Sequence, residues 1–476
     1  MLSAILLLAA GATGAVEPIE LHPENPRYFR FRGKPTILVG STEHYGAVLN
    51  LDFDAAPYFE ELQARGLNLT RVFSGTYREV SGSFNIKDNT LAPKPGRFAC
   101  PWARVGEKYD LDRWDDTYFQ RLKATVAEAG RRGVVVEFTL FCPFYEEALW
   151  EQNPMNARNN TGGIGDCPRT EAFTLKHPRL LARQEAFVRK VVGELAGCDN
   201  LFYEICNEPY FGGVTPDWQA RIAATIADAE KDLPHRHLIA QNIANGHAKV
   251  EKPDPAVSLF NFHYATPPDA VAENVGLKRP IGDDETGFEG TGDAFYRGEA
   301  WEFLLAGGAL FDHLDYSFTV GHEDGSAEVS EPTPGGGGPA LRRQFQVLKT
   351  FLDGFDFLHT APDTRSIAGT GLTLQEASIG GIGVEDYPSV RCLSRPGKAY
   401  AIYVRGNVRP GVSPVLLAID VPGGRFRAEW VNPRTGAVVE AQDVDHPGPS
   451  WRYSPNTPDY EEDIALRILF LPDKGE

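Results

Sequence analysis

The sequence predicts an α/β protein, a (β/α)8 TIM barrel followed by a smaller all-β sandwich. Three observations lead there. Eight short apolar runs between about Lys34 and Pro334 alternate with amphipathic stretches. The runs are continuous rather than alternating, which marks strands buried on both faces of a parallel sheet. Beyond Ala361 the texture changes to short β-rich runs cut by turns.

In chain order, the first strand is PTILVG (35–40). Residues 52–65 then carry Phe53, Phe59 and Leu62 at helical spacing, and Gly66 closes that helix. LTRVF (69–73) follows. Residues 114–132 set Tyr118, Leu122 and Val126 on one helical face, end at Gly133 and lead into VVVEFTLF (134–141). Helices over 180–195 and 218–233 precede the strands LFYEIC (201–206) and HLIAQNI (237–243). VSLFNF (257–262), RPIGDD (279–284) and GALFDHLDY (308–316) complete the eight. A closed barrel fits this series better than an open doubly wound sheet. The open sheet would carry a Gly-rich phosphate turn after its first strand, and Gly40-Ser41-Thr42-Glu43 is not one. The Gly335 to Gly338 tract lacks the following Lys-Ser or Lys-Thr of a phosphate cradle. The last barrel helix is expected over 341–358. Turns at Gly380-Gly381, Pro396-Gly397, Pro422-Gly423-Gly424 and Arg434-Thr435-Gly436 then give sandwich spacing. We therefore expect a barrel over 16–360 and a sandwich over 361–476.

Residues 1–15, MLSAILLLAAGATGA, read as an export signal. An apolar run from Leu2 to Ala10 meets small residues, with Thr13 and Ala15 at cleavage-like spacing. A secreted or periplasmic protein is the expectation, against the plainer reading of a buried N-terminal strand. The run is too short to span a bilayer, and no other stretch is apolar enough to try.

The composition is that of a globular chain: 476 residues, 42% hydrophobic and 24% charged. A formal net charge of −18 repels phosphate backbones and anionic lipid, so a nucleic-acid partner is not expected. Oligomeric state leaves no signal. The six cysteines suit an oxidising compartment but are too sparse for a disulfide scaffold. Cys206 and Cys392 read as buried thiols, and one pair among Cys100, Cys142 and Cys167 is open to bridging.

Reactive groups in a parallel barrel gather where strands end at the C-terminal face. Strand LFYEIC runs into Asn207-Glu208-Pro209, and RPIGDD runs into Glu285-Thr286-Gly287. Glycosidic cleavage needs two carboxylates across such a mouth. One protonates the leaving oxygen while the other attacks the anomeric carbon or activates water. Against this, Glu208 could be an ordinary loop carboxylate, and Asp283, Asp284 and Glu289 compete with Glu285.

At these residues the chain resembles the clan of retaining glycoside hydrolases built on a (β/α) barrel, the cellulase-like families among them. The resemblance implies Glu208 as general acid/base and Glu285 as nucleophile. It further implies Asn207 as donor to the sugar 2-hydroxyl, Arg71 as the cation holding the nucleophile ionised, and His263 and Tyr264 as substrate-side groups. A carbohydrate substrate and no cofactor or metal go with it. The segment from Pro23-Glu24-Asn25-Pro26 to Gly33-Lys34-Pro35, and the tail from Trp430 to Gly436, resemble bacterial secreted barrels whose C-terminal sandwich is often labelled collagen-binding. Collagen binding is not inferred.

The chain departs from that pattern in places. Where the family sets a Trp on the eighth strand, the candidates are Tyr316 and Phe318. His263 and Tyr264 are adjacent, so a regular strand would turn them to opposite faces. The third strand offers Glu137 and no His. Glu43 and His44, with Tyr45, end the first strand as either a substrate subsite or a loop capping the barrel. Tyr77, Trp102, Trp150 and Tyr210 fall in predicted loops, where they either stack on sugars or pack. The retaining reading sets the two carboxyls about 5–5.5 Å apart. It also has Glu285 push Glu208 toward its neutral form. The rival functions are a metal-dependent barrel hydrolase, for which the sequence offers no coherent Asp/His set, and a non-catalytic carbohydrate-binding barrel.

Overall fold

In the computed structural model, eight parallel strands form the central sheet. They are β1 (Leu38–Thr42), β2 (Leu69–Phe73), β3 (Val135–Thr139), β4 (Leu201–Glu204), β5 (Ile239–Asn245), β6 (Leu259–His263), β7 (Ile281–Glu285) and β8 (Leu310–Leu314). The hydrogen-bonded order is β1-β8-β7-β6-β5-β4-β3-β2. Asn68 closes the ring between β1 and β2. Its N–H donates to Val39 O (3.0 Å), its Oδ1 accepts from Val39 N–H (2.9 Å), and its Nδ2 donates to Ile37 O (3.0 Å). All strands but β5 are buried at every residue, the physical counterpart of their unbroken apolar runs. The description covers residues 17–363, 365–368, 389–406 and 417–472; the export-like segment and the Gly380-Gly381 turn lie outside it.

Two of the helices start where an aspartate satisfies free amides of the first turn. Asp54 caps α1 (Ala55–Ala64) by accepting from Ala56 N–H. Asp115 caps α2 (Asp116–Arg131) by accepting from the Thr117 and Tyr118 amides. Trp114, expected in this helix, instead ends a hairpin of Trp102–Val105 and Lys108–Trp114. Then come α3 (Pro178–Leu195), α4 (Pro216–Ala229), α5 (Asp293–Leu305) and α6 (Pro339–Asp353), the last stopping five residues short of its expected end at the Gly354 cap. A small antiparallel sheet of Glu20–Leu21, Phe29–Phe31 and Lys34–Thr36 covers the N-terminal end of the barrel. There Ile19 N–H donates to Asp199 O and Phe29 stacks on Phe202.

The C-terminal region is all β. Its strands are β9 (Ala361–Pro362), β10 (Ile367–Ala368), β11 (Ser389–Arg395), β12 (Ala399–Arg405), β13 (Ala418–Ile419), β14 (Gly424–Val431), β15 (Val438–His446) and β16 (Asp463–Phe470). Six form an antiparallel sheet ordered β9-β11-β12-β16-β14-β15, and β10 pairs with β13. One face, through Ile402, Phe426 and Leu466, packs on Leu417 and Ile419 as a core of its own. The other face joins the barrel's core through Leu393, Ala401, Tyr403 and Ala465. Trp301 of α5 stacks on Tyr403 with centroids 5.2 Å apart. Arg297 of the same helix binds Asp463 (2.7 Å) and Glu462 (2.5 Å), and Arg405 reaches back to Glu302 (2.7 Å). All six cysteines are free, including Cys100, Cys142 and Cys167, so no bridge forms among those three.

Candidate active site

The C-terminal ends of the strands bring together the residues the sequence singles out. Arg71, in β2, points into the barrel and is wholly buried. Its Nη2 donates to both Glu204 oxygens (2.8 Å each) and to Asn207 Oδ1 (2.6 Å), and its Nη1 donates to Glu285 Oε2 (2.7 Å). Tyr45 OH lies 3.3 Å from Nη1 and 3.4 Å from the same Glu285 oxygen. One guanidinium thus ties the end of β4 to the end of β7.

Glu208 and Glu285 face each other above Arg71. A carboxylate oxygen of each, with a ring nitrogen of His263, lies within 4.8 Å of the others. His263 Nδ1 is 3.3 Å from Glu208 Oε1 and 3.7 Å from Glu285 Oε2, while its Nε2 is 3.4 Å from Asp284 Oδ1. Tyr145 OH donates to Glu208 Oε2 (2.5 Å) and accepts from Asn207 Nδ2 (2.9 Å); Tyr264 OH donates to Glu285 Oε1 (2.8 Å). The adjacency of His263 and Tyr264 is no obstacle. The pairing of β6 with β7 slips at His263, and Tyr264 takes a left-handed backbone (φ 53°), so both side chains reach the carboxylates. Glu208 itself is left-handed (φ 34°). Such strain in non-glycine residues collects where geometry is held for function.

The charges settle differently from expectation. Burial opposes a charge on His263, yet Glu285, Asp284 and Glu208 together push the imidazole up to about 9, so it is a cation at neutral pH. Burial would likewise raise the Glu208 carboxyl. The hydrogen bond and charge of His263, with Tyr145 and Arg71, outweigh it and hold Glu208 below the ordinary range. The expectation that Glu285 drives Glu208 neutral is therefore corrected: in this arrangement the proton sits on His263 between the two carboxylates. Beneath them Glu137, whose Oε1 accepts from Asn261 Nδ2 (2.6 Å), is raised well above the ordinary carboxyl range by burial and by Asp284 and Glu204.

Among the remaining candidates, Glu43 has its hydrogen bonds within the loop, in keeping with the capping alternative. Its wholly buried carboxylate accepts from Gly46 N–H (2.6 Å), Ala47 N–H (3.0 Å) and Thr90 Oγ1 (3.1 Å). It holds the first amides of the short Gly46–Leu49 helix and, through Thr90, the 74–100 loop. His44 packs edge-on against Tyr316 (4.4 Å), and Phe288 links Tyr316 to Tyr264 along the Glu285 side. His44 Nε2 and Tyr316 OH are buried without a hydrogen-bond partner among the described residues. Trp102 and Trp150 are core, Trp150 donating to Cys167 O. Tyr77 is buried beside Tyr145, while Tyr210 is at the rim with its hydroxyl on Asn245. Sequence reading missed Tyr145 and Glu204. Tyr145 sits in a loop like any other aromatic, but Glu204 precedes Asn207-Glu208 at inward-facing strand spacing, which could have found it.

Two groups of donor atoms converge enough to hold a metal: Glu208, His263 and Glu285, and Glu137, Glu204 and Asp284. Each is already served by a cation of the protein. Arg71 lies 2.8 Å from Glu204, 3.5 Å from Asp284 and 2.7 Å from Glu285, and protonated His263 donates rather than ligates. A divalent ion would have to displace them.

The chain matches no protein-family model and no curated protein. Among solved structures its fold is similar to that of a glycoside hydrolase, 14% identical, with a TM-score of 0.63 over 95% of this chain and 97% of the other. It is equally similar to a glycoside hydrolase family 5 protein from Bacteroides vulgatus, again 14% identical with a TM-score of 0.63, over 95% and 94%. These likenesses establish the architecture: an eight-stranded parallel barrel with an all-β region C-terminal to it. Among the described residues no helix is long and apolar enough to cross a membrane.

Proposed function

We propose that this protein is a retaining O-glycoside hydrolase, exported by its N-terminal segment and acting through a barrel that gives way to a sandwich near residue 361. The observation that carries the reading is that one carboxylate oxygen of Glu208 and one of Glu285 lie within 4.8 Å of each other. Inverting enzymes leave about 6.5–9.5 Å between their carboxyls to admit a water, whereas retaining pairs stand about 5–5.5 Å apart.

In the first step a Glu285 oxygen bonds to the anomeric carbon while the glycosidic C–O bond breaks. Glu208 gives its proton to the departing oxygen, which leaves as an alcohol. Glu208 obtains that proton from His263 Nδ1, 3.3 Å away. In the second step water adds to the anomeric carbon, its proton passes to Glu208, and the ester to Glu285 opens. Arg71 supports the Glu285 charge at both ends of the cycle, and Asn207, fixed by Arg71 and Tyr145, is placed to donate to the sugar.

Azide tests the assignment. Glu208→Ala should still cleave glycosides with good leaving groups and, with azide, give an azido-sugar of unchanged anomeric configuration. Glu285→Ala with azide should give the inverted one. Undiminished hydrolysis of unactivated substrates by Glu208→Ala would remove Glu208 as the acid.

A further inference from the structure

The Glu208 side of the mouth differs in character from the polar network below it. Tyr145, whose hydroxyl meets Glu208, is flanked by two phenylalanines. Phe84 stands 5.6 Å from it, perpendicular, and Phe211 lies 5.9 Å away. Tyr210 packs on Phe211 at 5.0 Å, its own hydroxyl 3.4 Å from Glu208 Oε1. Phe84, Tyr210 and Phe211 are 42%, 37% and 44% exposed, so three aromatic rings beside the acid/base candidate stand open to solvent.

Phe84 holds its place against its backbone preference. Its φ and ψ of 57° and 19° are left-handed, a genuine outlier for a bulky residue. Asn85 and Asp88 share the conformation, but short polar side chains tolerate it. Eight non-glycine residues among those described are left-handed, and Tyr45, Glu208 and Tyr264 of them serve the carboxylate pair. Phe84 is strained as they are, yet leaves 42% of its surface open to solvent. The nearest hydroxyls are also occupied: Tyr145 lies between Glu208 and Asn207, and Tyr210 is on Asn245. A sugar seated here would need partners for its own hydroxyls, whereas an apolar group would not.

We infer that this side is an aglycone site clamping an apolar leaving group, aryl or alkyl, among Phe84, Tyr145 and Phe211, and that glycosides of such alcohols are the substrate class. The inference rests on the glycosidase reading, because Glu208 as acid is what makes this the leaving-group side.

Alkyl glycosides supply the test. A sugar is first chosen as one whose 4-nitrophenyl glycoside the full-length protein hydrolyses. Octyl and methyl glycosides of that sugar, with leaving groups of similar acidity, are then compared with a disaccharide carrying the same glycone. The octyl glycoside should exceed both in kcat/KM by about tenfold or more, or about 1.4 kcal/mol. Phe84→Ala and Phe211→Ala should erase that preference and leave the methyl glycoside unchanged, and Phe84→Leu should keep part of it. Deglycosylation, which follows departure of the aglycone, should be unmoved in all three, whereas a merely structural loss would lower it too. A disaccharide cleaved as well as the octyl glycoside, or a Phe84→Ala enzyme that keeps the octyl preference, overturns the inference. Should no nitrophenyl glycoside be cleaved faster than by Glu285→Gln, the glycosidase reading fails and takes this inference with it.

Discussion

Replacing Arg71 by methionine keeps an unbranched chain in the barrel and removes the cation that bridges Glu204 and Glu285. The guanidinium is wholly buried, 2.8 Å from Glu204 and 2.7 Å from Glu285. Deleting one partner of a buried ion pair costs about 3–5 kcal/mol, because the other charge is left bare. Against a total stability of about 5–15 kcal/mol that is a large fraction. The variant has one escape, since a carboxyl that binds a proton is no longer a bare charge. Holding a carboxyl of ordinary pKa near 4.3 in its neutral form costs about 1.4 kcal/mol per pH unit, hence about 1 kcal/mol at pH 5 and about 5 at pH 8. In the variant the folded carboxyls titrate above their unfolded values, so folded protein binds more protons and stability falls as pH rises. The expected penalty is therefore about 1 kcal/mol at pH 5, climbing to the 3–5 kcal/mol limit by about pH 8. Urea unfolding of both proteins at pH 5, 6.5 and 8 measures it. A penalty equal at all three pH values, or none, would show that Arg71 does not compensate these carboxylates.

Three further outcomes are expected. With His263 raised to about 9, kcat/KM should fall as pH rises through about 9, where the stored proton is lost. His263→Gln should bring that fall to lower pH, and an unchanged profile would remove His263 from the proton path. The stabilising effect of the imidazolium should likewise be full below its ordinary value of 6.5 and gone above about 9. A chain ending at residue 361 uncovers Trp301 and leaves buried Arg297 without Asp463 and Glu462. It should melt well below the full-length protein or fail to stay soluble. A trimmed barrel with the full-length Tm would refute the shared core.

The barrel was legible because strands buried on both faces must be apolar at consecutive positions, and helices between them must be amphipathic. The Asn207-Glu208 and Glu285 positions were legible because strand ends in this architecture all emerge on one rim. What resisted reading depends on local backbone. Glu43 is an acidic residue at a strand end like Glu208 and Glu285, and only the turn at Tyr45, which brings the Gly46 and Ala47 amides back onto it, makes it a cap. The alternation rule set His263 and Tyr264 on opposite faces, and a one-residue slip with a left-handed turn undid it. Trp114 fits a helical pattern and a hairpin equally, and Asp115 decides by capping the helix one residue later. The charge of Glu208 was misjudged because the sequence does not show that a histidine from β6 stands between it and Glu285.

The left-handed residues at the mouth set this protein's adaptability against its durability. Tyr45, Glu208 and Tyr264 each hold a conformation that asparagine or glycine adopts more easily. Laboratory selection for heat tolerance alone should accept asparagine or glycine at Glu208, gaining about 1 kcal/mol of relaxed backbone while removing the acid/base candidate. It should keep Tyr45, whose buried ring stacks on Phe73 and would leave a cavity costing about 3–5 kcal/mol. Selection for turnover should restore Glu208. Lineages that drift away from catalysis are thus expected to relax at Glu208 first, before any change in the barrel beneath.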